Sequence, residues 1–418
     1  MKSAIPADWD LQPLGALCSR PQYGLTETAS SEPIGPRFLR ITDIQNGEVA
    51  WETVPFCRCS PADLERHRVG QGDILVARIG GTTGKTFFVR NCSEDVVFAS
   101  YLIRLRARSI DERYLYYFCQ SQRYWNHINA SKDERLKGGV NTSLLTELEV
   151  PVPPMDEQVM IADLLEAIES FARFEARSAQ RLRALKSATM AKLFREGLHS
   201  EHLKQTEIGE LPASWDVVRL GDHCELKSGG TPPRTTAEYW GGEIPWVKTT
   251  EVDYSVIRET EEKITASGLE NSSAKLFDKG TLLMAMYGQG VTRGRVALLG
   301  IRAATNQACA AFFPDKTIST RFLYSYFCHA YEHIRELGHG ANQRNLSLEI
   351  LHDVKIPVPR SLDEQEEISN IVSGIERRIE ISCFKDNVLS RLFATTLECL
   401  MTGAVRLKNL GVVEVSHA

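Results

Sequence analysis

No stretch of the sequence approaches the roughly 20 consecutive apolar residues that a membrane span requires, and residues 1–10 lack the apolar core of a signal peptide. A cytoplasmic protein without membrane association is expected. Cysteine is sparse, 10 in 418 residues, and several sit in apolar runs such as Tyr116-Tyr117-Phe118-Cys119 and Tyr326-Phe327-Cys328. This excludes a disulfide scaffold and predicts buried, reduced thiols. Cys57-Arg58-Cys59 has no second Cys/His pair at metal-site spacing, so no metal is expected. Positive charge is not in excess either: 49 Lys+Arg against 54 Asp+Glu give a net charge of −5, which excludes a polycation that holds nucleic acid by bulk charge. Any nucleic acid must be held by local clusters.

Catalytic signatures are missing as well. Gly80-Gly81-Thr82-Thr83-Gly84-Lys85-Thr86 has the ending of a phosphate-binding loop, but the glycine required five positions before Gly84 is Ile79. No Asn-Pro-Pro-Tyr or Asp-Pro-Pro-Tyr stretch of an adenine methyltransferase occurs, and neither a Gly-x-Ser-x-Gly elbow nor a His-Glu-x-x-His helix is present. Without converging reactive groups the chain reads as a binding subunit rather than an enzyme.

What the sequence does contain is a repeat of itself. Ile5-Pro6-Ala7-Asp8-Trp9-Asp10 returns as Leu211-Pro212-Ala213-Ser214-Trp215-Asp216, and Leu14-Gly15 with Cys18 returns as Leu220-Gly221 with Cys224. Gly72-Asp73-Ile74-Leu75 matches Gly280-Thr281-Leu282-Leu283, and Arg113-Tyr114-Leu115-Tyr116 matches Arg321-Phe322-Leu323-Tyr324. Val150-Pro151-Val152-Pro153 and Asp156-Glu157-Gln158 recur as Ile356-Pro357-Val358-Pro359 and Asp363-Glu364-Gln365. A repeat of this length doubles the whole architecture.

Texture changes at each Pro-x-Pro stretch. Upstream, short β-rich runs alternate with glycine-rich turns. Downstream, one long helix is predicted in each copy, with Asp156 and Asp363 as caps. Apolar positions run from Ile161 to Leu193 in the first and from Ile368 to Leu400 in the second, where Gly374 is the one weak point. Such apolar stripes must be buried, and each helix finds its nearest partner in the other copy. The expected fold is α+β: two mixed, mostly β domains (1–153 and 201–359) joined by two long helices (154–200 and 360–403). The helices form an antiparallel coiled coil with pseudo-two-fold symmetry, followed by a tail at 404–418. Polar gaps at residues 177–179, Ser382 and Lys385 predict looser packing in the middle of the coil. The alternative is that each helix folds back on its own domain.

The paired Pro-Ala-x-Trp-Asp openings, Pro-Val-Pro stretches, Asp-Glu-Gln helix starts and helix endings at Gly197 and Gly403 resemble the specificity subunit of type I restriction-modification enzymes. The resemblance covers nearly the whole chain. It implies two target-recognition domains, each reading half of a split, asymmetric site in double-stranded DNA, and paired helices that seat two modification (methyltransferase) subunits. Restriction (translocase/nuclease) subunits would join them, with S-adenosylmethionine, ATP and Mg on the partners and no cofactor in this chain. Asn306-Gln307 resembles the family's Asn-Gln pair, whereas the first half has Ser100-Tyr101 there. The rival reading is a coiled-coil protein adapter that reads no DNA.

Residues 1–150 carry 18 basic and 18 acidic side chains and residues 206–356 carry 16 and 19, so DNA contact must come from chosen loops. Arg78, Thr82, Thr83 and Lys85 in the first half, with Tyr287, Gln289, Thr292, Arg293 and Arg295 in the second, occupy matching glycine-rich stretches. A second set precedes each Pro-Val-Pro: Lys132, Arg135, Lys137 and Asn141, then His339, Asn342, Gln343 and Arg344. Arg104, Arg106 and Arg108 alternate as one face of a strand would, either a solvated face or a phosphate contact.

Overall fold

A computed structural model describes residues 5–45, 47–92, 95–133, 139–199, 201–288, 291–338 and 345–410, the side chains of 131–133 and 409–410 excepted. The chain divides into two compact units, residues 1–176 with 384–418, and residues 177–383. Each long helix therefore begins in one unit and ends in the other.

In the first unit a four-stranded antiparallel sheet runs in the order Gln22–Tyr23, Leu102–Leu105, Ile74–Ala77, Thr86–Phe88. Its two central strands are buried on both faces, as their nearly continuous apolar runs require. Ile74, Val76, Ile103 and Leu105 face a core with the helix Glu112–Phe118, while Leu75 and Leu102 face a second core with Leu39 and Phe98. Of the alternating arginines only Arg104 lies within the strand and is buried; Arg106 and Arg108 follow its end at Leu105 and are exposed. Arg104 is buried and donates to the Arg68 carbonyl at 2.6 Å, Arg106 forks onto buried Asp73 at 2.7 and 2.9 Å, and Arg108 donates to Ser19 Oγ at 2.9 Å. These side chains hold the fold together.

The second unit repeats this plan and enlarges it. Its five-stranded sheet runs Cys224–Ser228, Cys309–Pro314, Leu282–Ala285, Val296–Leu299, Val256–Ile257. The parallel pair Arg37–Leu39 with Val96–Phe98 has its counterpart in Trp240–Val247 beside Ala303–Thr305, here extended to four strands by Glu262–Ile264 and Leu276–Phe277. Five of the ten cysteines are buried, and burial pushes the Cys18 and Cys224 thiols up to about 12.

The repeated sequence signatures meet at one junction in each unit. Asp10–Pro13 pairs antiparallel with Glu149–Val152, and Trp215–Arg219 pairs with Lys355–Pro359, so the opening and the Pro-x-Pro stretch form one ribbon. From each ribbon a long helix departs, Met155–Glu196 and Leu362–Met401. Asp156 and Asp363 lie within the first turn rather than at the cap, since the helices start earlier; in the second the Ser361 hydroxyl accepts the Glu364 N–H at 3.4 Å. Acidic side chains in that turn still complement the helix dipole. Buried Glu157 accepts the Trp9 indole N–H at 3.1 Å, and buried Glu364 accepts that of Trp215 at 3.2 Å.

The glutamine that follows ties down a second helix. Gln158 donates to the Pro153 carbonyl and accepts the Asp111 N–H, both at 2.8 Å, at the start of Glu112–Phe118. Gln365 donates to the Pro359 carbonyl at 2.9 Å and accepts the Ser319 N–H at 2.7 Å, at the start of Thr320–His329.

The far end of the other long helix arrives on the same tryptophan. Gly197 and Gly403 end their helices at φ +65° and +70°, left-handed conformations that admit glycine and strain a residue with a Cβ. A Cβ at Gly403 would stand 2.3 Å from Pro6 Cγ, and one at Gly197 would stand 3.1 Å from Pro212 Cγ. Each proline-tryptophan opening thus receives the start of one helix and the end of the other. In the first unit Arg406, just past the helix end, donates to Glu157 at 2.5 and 2.6 Å and to Asp8 at 2.8 and 2.9 Å, with its guanidinium 5.2 Å from the Trp9 ring.

The helices pair antiparallel within each unit. Ile161, Ala162 and Leu165 share a core with Leu397, Leu400 and Met401 in the first; Met190, Leu193 and Phe194 share one with Ile368 and Val372 in the second. Lys186 pairs with Glu376 at 2.7 Å, Arg183 donates to Cys383 Sγ at 3.1 Å, and Lys385 donates to Glu175 at 3.2 Å. These same cores contain β-domain residues such as Tyr114, Val150, Trp215 and Ile356, so the helices pack both on each other and on the domains. Ala179 and Ser382, within the expected polar gaps, are buried, whereas Leu164, Leu185, Ile371 and Leu392 of the apolar pattern are exposed.

The junction generates a prediction. Removing the Glu157 carboxylate leaves the Trp9 indole without its acceptor and the Arg406 guanidinium with Asp8 alone, so Glu157→Ala should cost about 3 kcal/mol. Glu364→Ala, which strands only neutral N–H groups of Trp215 and Leu198, should cost about 1–2 kcal/mol. Urea unfolding of the two variants checks the order; equal losses would show that Arg406 adds nothing to the first junction.

Candidate nucleic-acid interface

Both halves build the same hairpin from their central strand. In the first, Ala77 N–H donates to the Lys85 carbonyl and Gly84 N–H to the Ala77 carbonyl, both at 2.8 Å, and Lys85 N–H donates to the Thr82 carbonyl at 2.9 Å. In the second, Ala285 bonds Arg295, Gly294 bonds Ala285 and Arg295 bonds Thr292 in the same sense, at 2.9, 2.8 and 3.1 Å. Gly84 and Gly294 supply the left-handed turn at φ +89° and +88°. Two extra residues separate strand and turn in the second half, so one backbone frame carries loops of different length.

The frame also joins the two candidate stretches of each half, which are far apart in sequence. Arg78 N–H donates to the Tyr101 carbonyl and Val140 N–H donates to the Arg78 carbonyl, both at 2.9 Å. Met286 N–H donates to the Ala308 carbonyl at 2.8 Å, and Leu346 N–H donates to the Met286 carbonyl at 3.1 Å. Asn141 and its counterpart Ser347 then cap short helices, accepting from Leu144 N–H at 2.8 Å and Ile350 N–H at 3.2 Å. A polar residue at 141 is therefore explained by capping.

Side chains on this frame differ between the halves. Arg78 lies over the Tyr23 ring, 4.8 Å from its centre; Met286, at the same place, is buried in the core. Thr82 is half-buried, and Thr83 is buried with its hydroxyl donating to the Gly80 carbonyl at 2.6 Å, which closes the turn. Lys85 is exposed. In the second half Tyr287 is exposed, Thr292 half-buried and Arg293 buried, while Arg295 donates to Asp253 Oδ1 at 2.5 Å and lies 5.6 Å from the centre of the Tyr254 ring. Tyr254 adopts a left-handed φ of +51°, a conformation that costs a non-glycine residue energy and fixes the ring beside Arg295. Burial pushes its hydroxyl well above the ordinary tyrosine range. Lys132 lies in the helix Gln122–Asp133, and Arg135, Lys137, Gln289, His339, Asn342, Gln343 and Arg344 lie outside the described residues.

Several surface side chains here escape sequence reasoning. Tyr23 and Tyr101 are exposed beside Arg78, and Arg234 stacks 3.7 Å from the Trp240 ring centre while pairing with Glu262. The Thr231 hydroxyl donates to Gln307 Oε1, and Asn306 Oδ1 accepts the Ala308 N–H at 3.1 Å, giving the Asn-Gln pair one structural and one outward member. Only the turn composition of Thr231-Pro232-Pro233-Arg234 hints at that loop; the ring contacts depend on the fold. Among the described residues no group of three or more His, Cys, Asp or Glu is placed to hold a metal ion, and no helix is long and apolar enough to cross a membrane.

Comparison with known proteins adds the family. The model for the type I restriction modification DNA specificity domain matches twice, over residues 63–184 and 212–390. The putative type I restriction enzyme MjaX specificity subunit of Methanocaldococcus jannaschii is 25% identical over 415 residues, covering 97% of this chain and 95% of that protein. The EcoR124I/EcoR124II specificity subunit of Escherichia coli is 23% identical over 277 residues, covering 62% of this chain and 66% of that one. A crystal structure of the S subunit of a type I restriction-modification system from M. genitalium shares the fold, with a TM-score of 0.64 at 17% identity over 96% of this chain and 97% of that one. Matched in both halves and along nearly its whole length, the chain belongs to the type I restriction-modification specificity-subunit family.

Proposed function

We propose that this chain is the DNA-reading subunit of a type I restriction-modification complex, each half recognising one part of a gapped, asymmetric sequence in double-stranded DNA. The carrying observation is the hairpin frame, with matching backbone hydrogen bonds in the two halves and different side chains upon it. Equal frames present side chains to DNA in equal ways, and unequal side chains read unequal sequences. Lys85 and Arg295 share one position and are both cationic, as suits a phosphate contact that sets register without reading sequence. The candidate residues of the second stretches belong to the same proposal, since Val140 and Leu346 tie those stretches to the hairpins.

Partner subunits would methylate and cleave, bringing S-adenosylmethionine, ATP and Mg, and this non-catalytic chain would act with them in the cytoplasm. Exposed Phe171, Phe174, Phe384 and Val388 on the helices of the first unit support a seat for a modification subunit, because apolar side chains of this size in solvent mark a protein interface. The adapter reading would use the same seat, and it leaves the duplicated hairpin without a purpose.

Exchanging residues 1–150 for the corresponding domain of a relative should alter one half of the methylated sequence and leave the other intact, as read by long-read mapping of N6-methyladenine. A change in both halves would contradict the modular reading. Lys85→Ala and Arg295→Ala should each weaken DNA binding by the assembled complex without altering the methylated sequence, and each should reduce the slope of log affinity against log salt by about one. Unchanged salt dependence would remove both residues from the phosphate contacts.

A further inference from the structure

Arg78 differs from several other arginines of the first unit. Arg40, Arg90, Arg106, Arg113 and Arg406 are each held by carboxylates. No carboxylate among the described residues pairs with Arg78; its guanidinium instead lies on the Tyr23 ring, whose hydroxyl accepts the Thr142 N–H at 3.3 Å. Backbone hydrogen bonds to Tyr101 and Val140 fix the residue on both sides, and Ile79 and Tyr101 are exposed next to it. The fork is charged, oriented and not neutralised.

Its counterpart in the repeat narrows what it does. A phosphate contact needed by both halves would be cationic in both, as Lys85 and Arg295 are. At the Arg78 position the second half has Met286, 3% exposed, with the same backbone bonds. This is a position where the frame is kept and the chemistry is not, which is how a sequence-reading position behaves. A planar guanidinium fork matches the O6 and N7 acceptors of guanine, and stacking on an aromatic ring reduces the side-chain freedom lost when that contact forms.

We propose that Arg78 reads a guanine in the half-site bound by the first half, with Tyr23 as the positioning residue that holds the fork in place. This inference rests on the DNA-reading function above. The test is the methylated motif produced by the complete complex in cells carrying Arg78→Met, Arg78→Lys, Tyr23→Phe or Tyr23→Leu. Arg78→Met copies the residue that the second half already carries on this backbone, so loss of folding is guarded against.

The expected result is relaxation at one G·C position in one half of the motif, with discrimination falling roughly 5- to 150-fold in Arg78→Met. Tyr23→Phe should keep the motif, Tyr23→Leu should relax the same position, and the other half should stay intact throughout. A merely structural Tyr23 would lower methylation evenly over all sites. A motif unchanged in Arg78→Met, an even loss of affinity with no relaxed base, or relaxation at an A·T pair would each overturn the inference. Absence of any gapped motif with the wild-type chain would instead overturn the function on which it rests.

Discussion

The structure depends on a buried indole held by a buried carboxylate, made once in each unit. Trp9 with Glu157 and Trp215 with Glu364 fix where a long helix leaves its β-rich domain, and glycine at the end of the other helix fits against the same proline-tryptophan corner. A buried carboxylate is tolerable only if its oxygens are satisfied, which makes the junction demanding of both sequence and geometry. Neither helix could bury its apolar side chains alone. The junctions pin the start of one helix and the end of the other in each unit, where their apolar side chains share a core with the domain.

With helices and domains fixed in this way, the side chains of the hairpins are free to vary. The hairpins after Ala77 and Ala285 keep their main-chain hydrogen bonds across the repeat while their side chains change from Arg78 to Met286 and from Thr83 to Arg293. The shared main-chain bonds tolerate these changes, even where the Thr83 hydroxyl that closes the first turn has no equivalent. On the proposed function, a duplicated reader would acquire two specificities without altering how it stands on its helices.

Much of the architecture was legible because it is written twice. Repetition of Trp9-Asp10, Pro151-Val152-Pro153 and Glu157-Gln158 marked domains and helix starts, and uninterrupted apolar spacing marked the helices. What could not be read were contacts that only the fold brings together. Arg104 and Arg106 share a face as their alternation predicts, but both reach buried Asp73, which only the pairing of Ile74–Ala77 with Leu102–Leu105 brings beside them. Tyr23 carries no local signature, and its place beneath Arg78 follows from the pairing of Gln22–Tyr23 with Leu102–Leu105. Asn141 caps a short helix, a use that favours the same side chain as contact with a base edge and that the sequence alone does not separate from it.

The most direct test of the account is a map of N6-methyladenine across the source genome with this gene present and deleted. The account predicts that methylation disappears on deletion from a single gapped motif whose two parts differ in sequence. Loss from a continuous or palindromic motif, or retention of every methylated site with the partner subunits expressed, would contradict it.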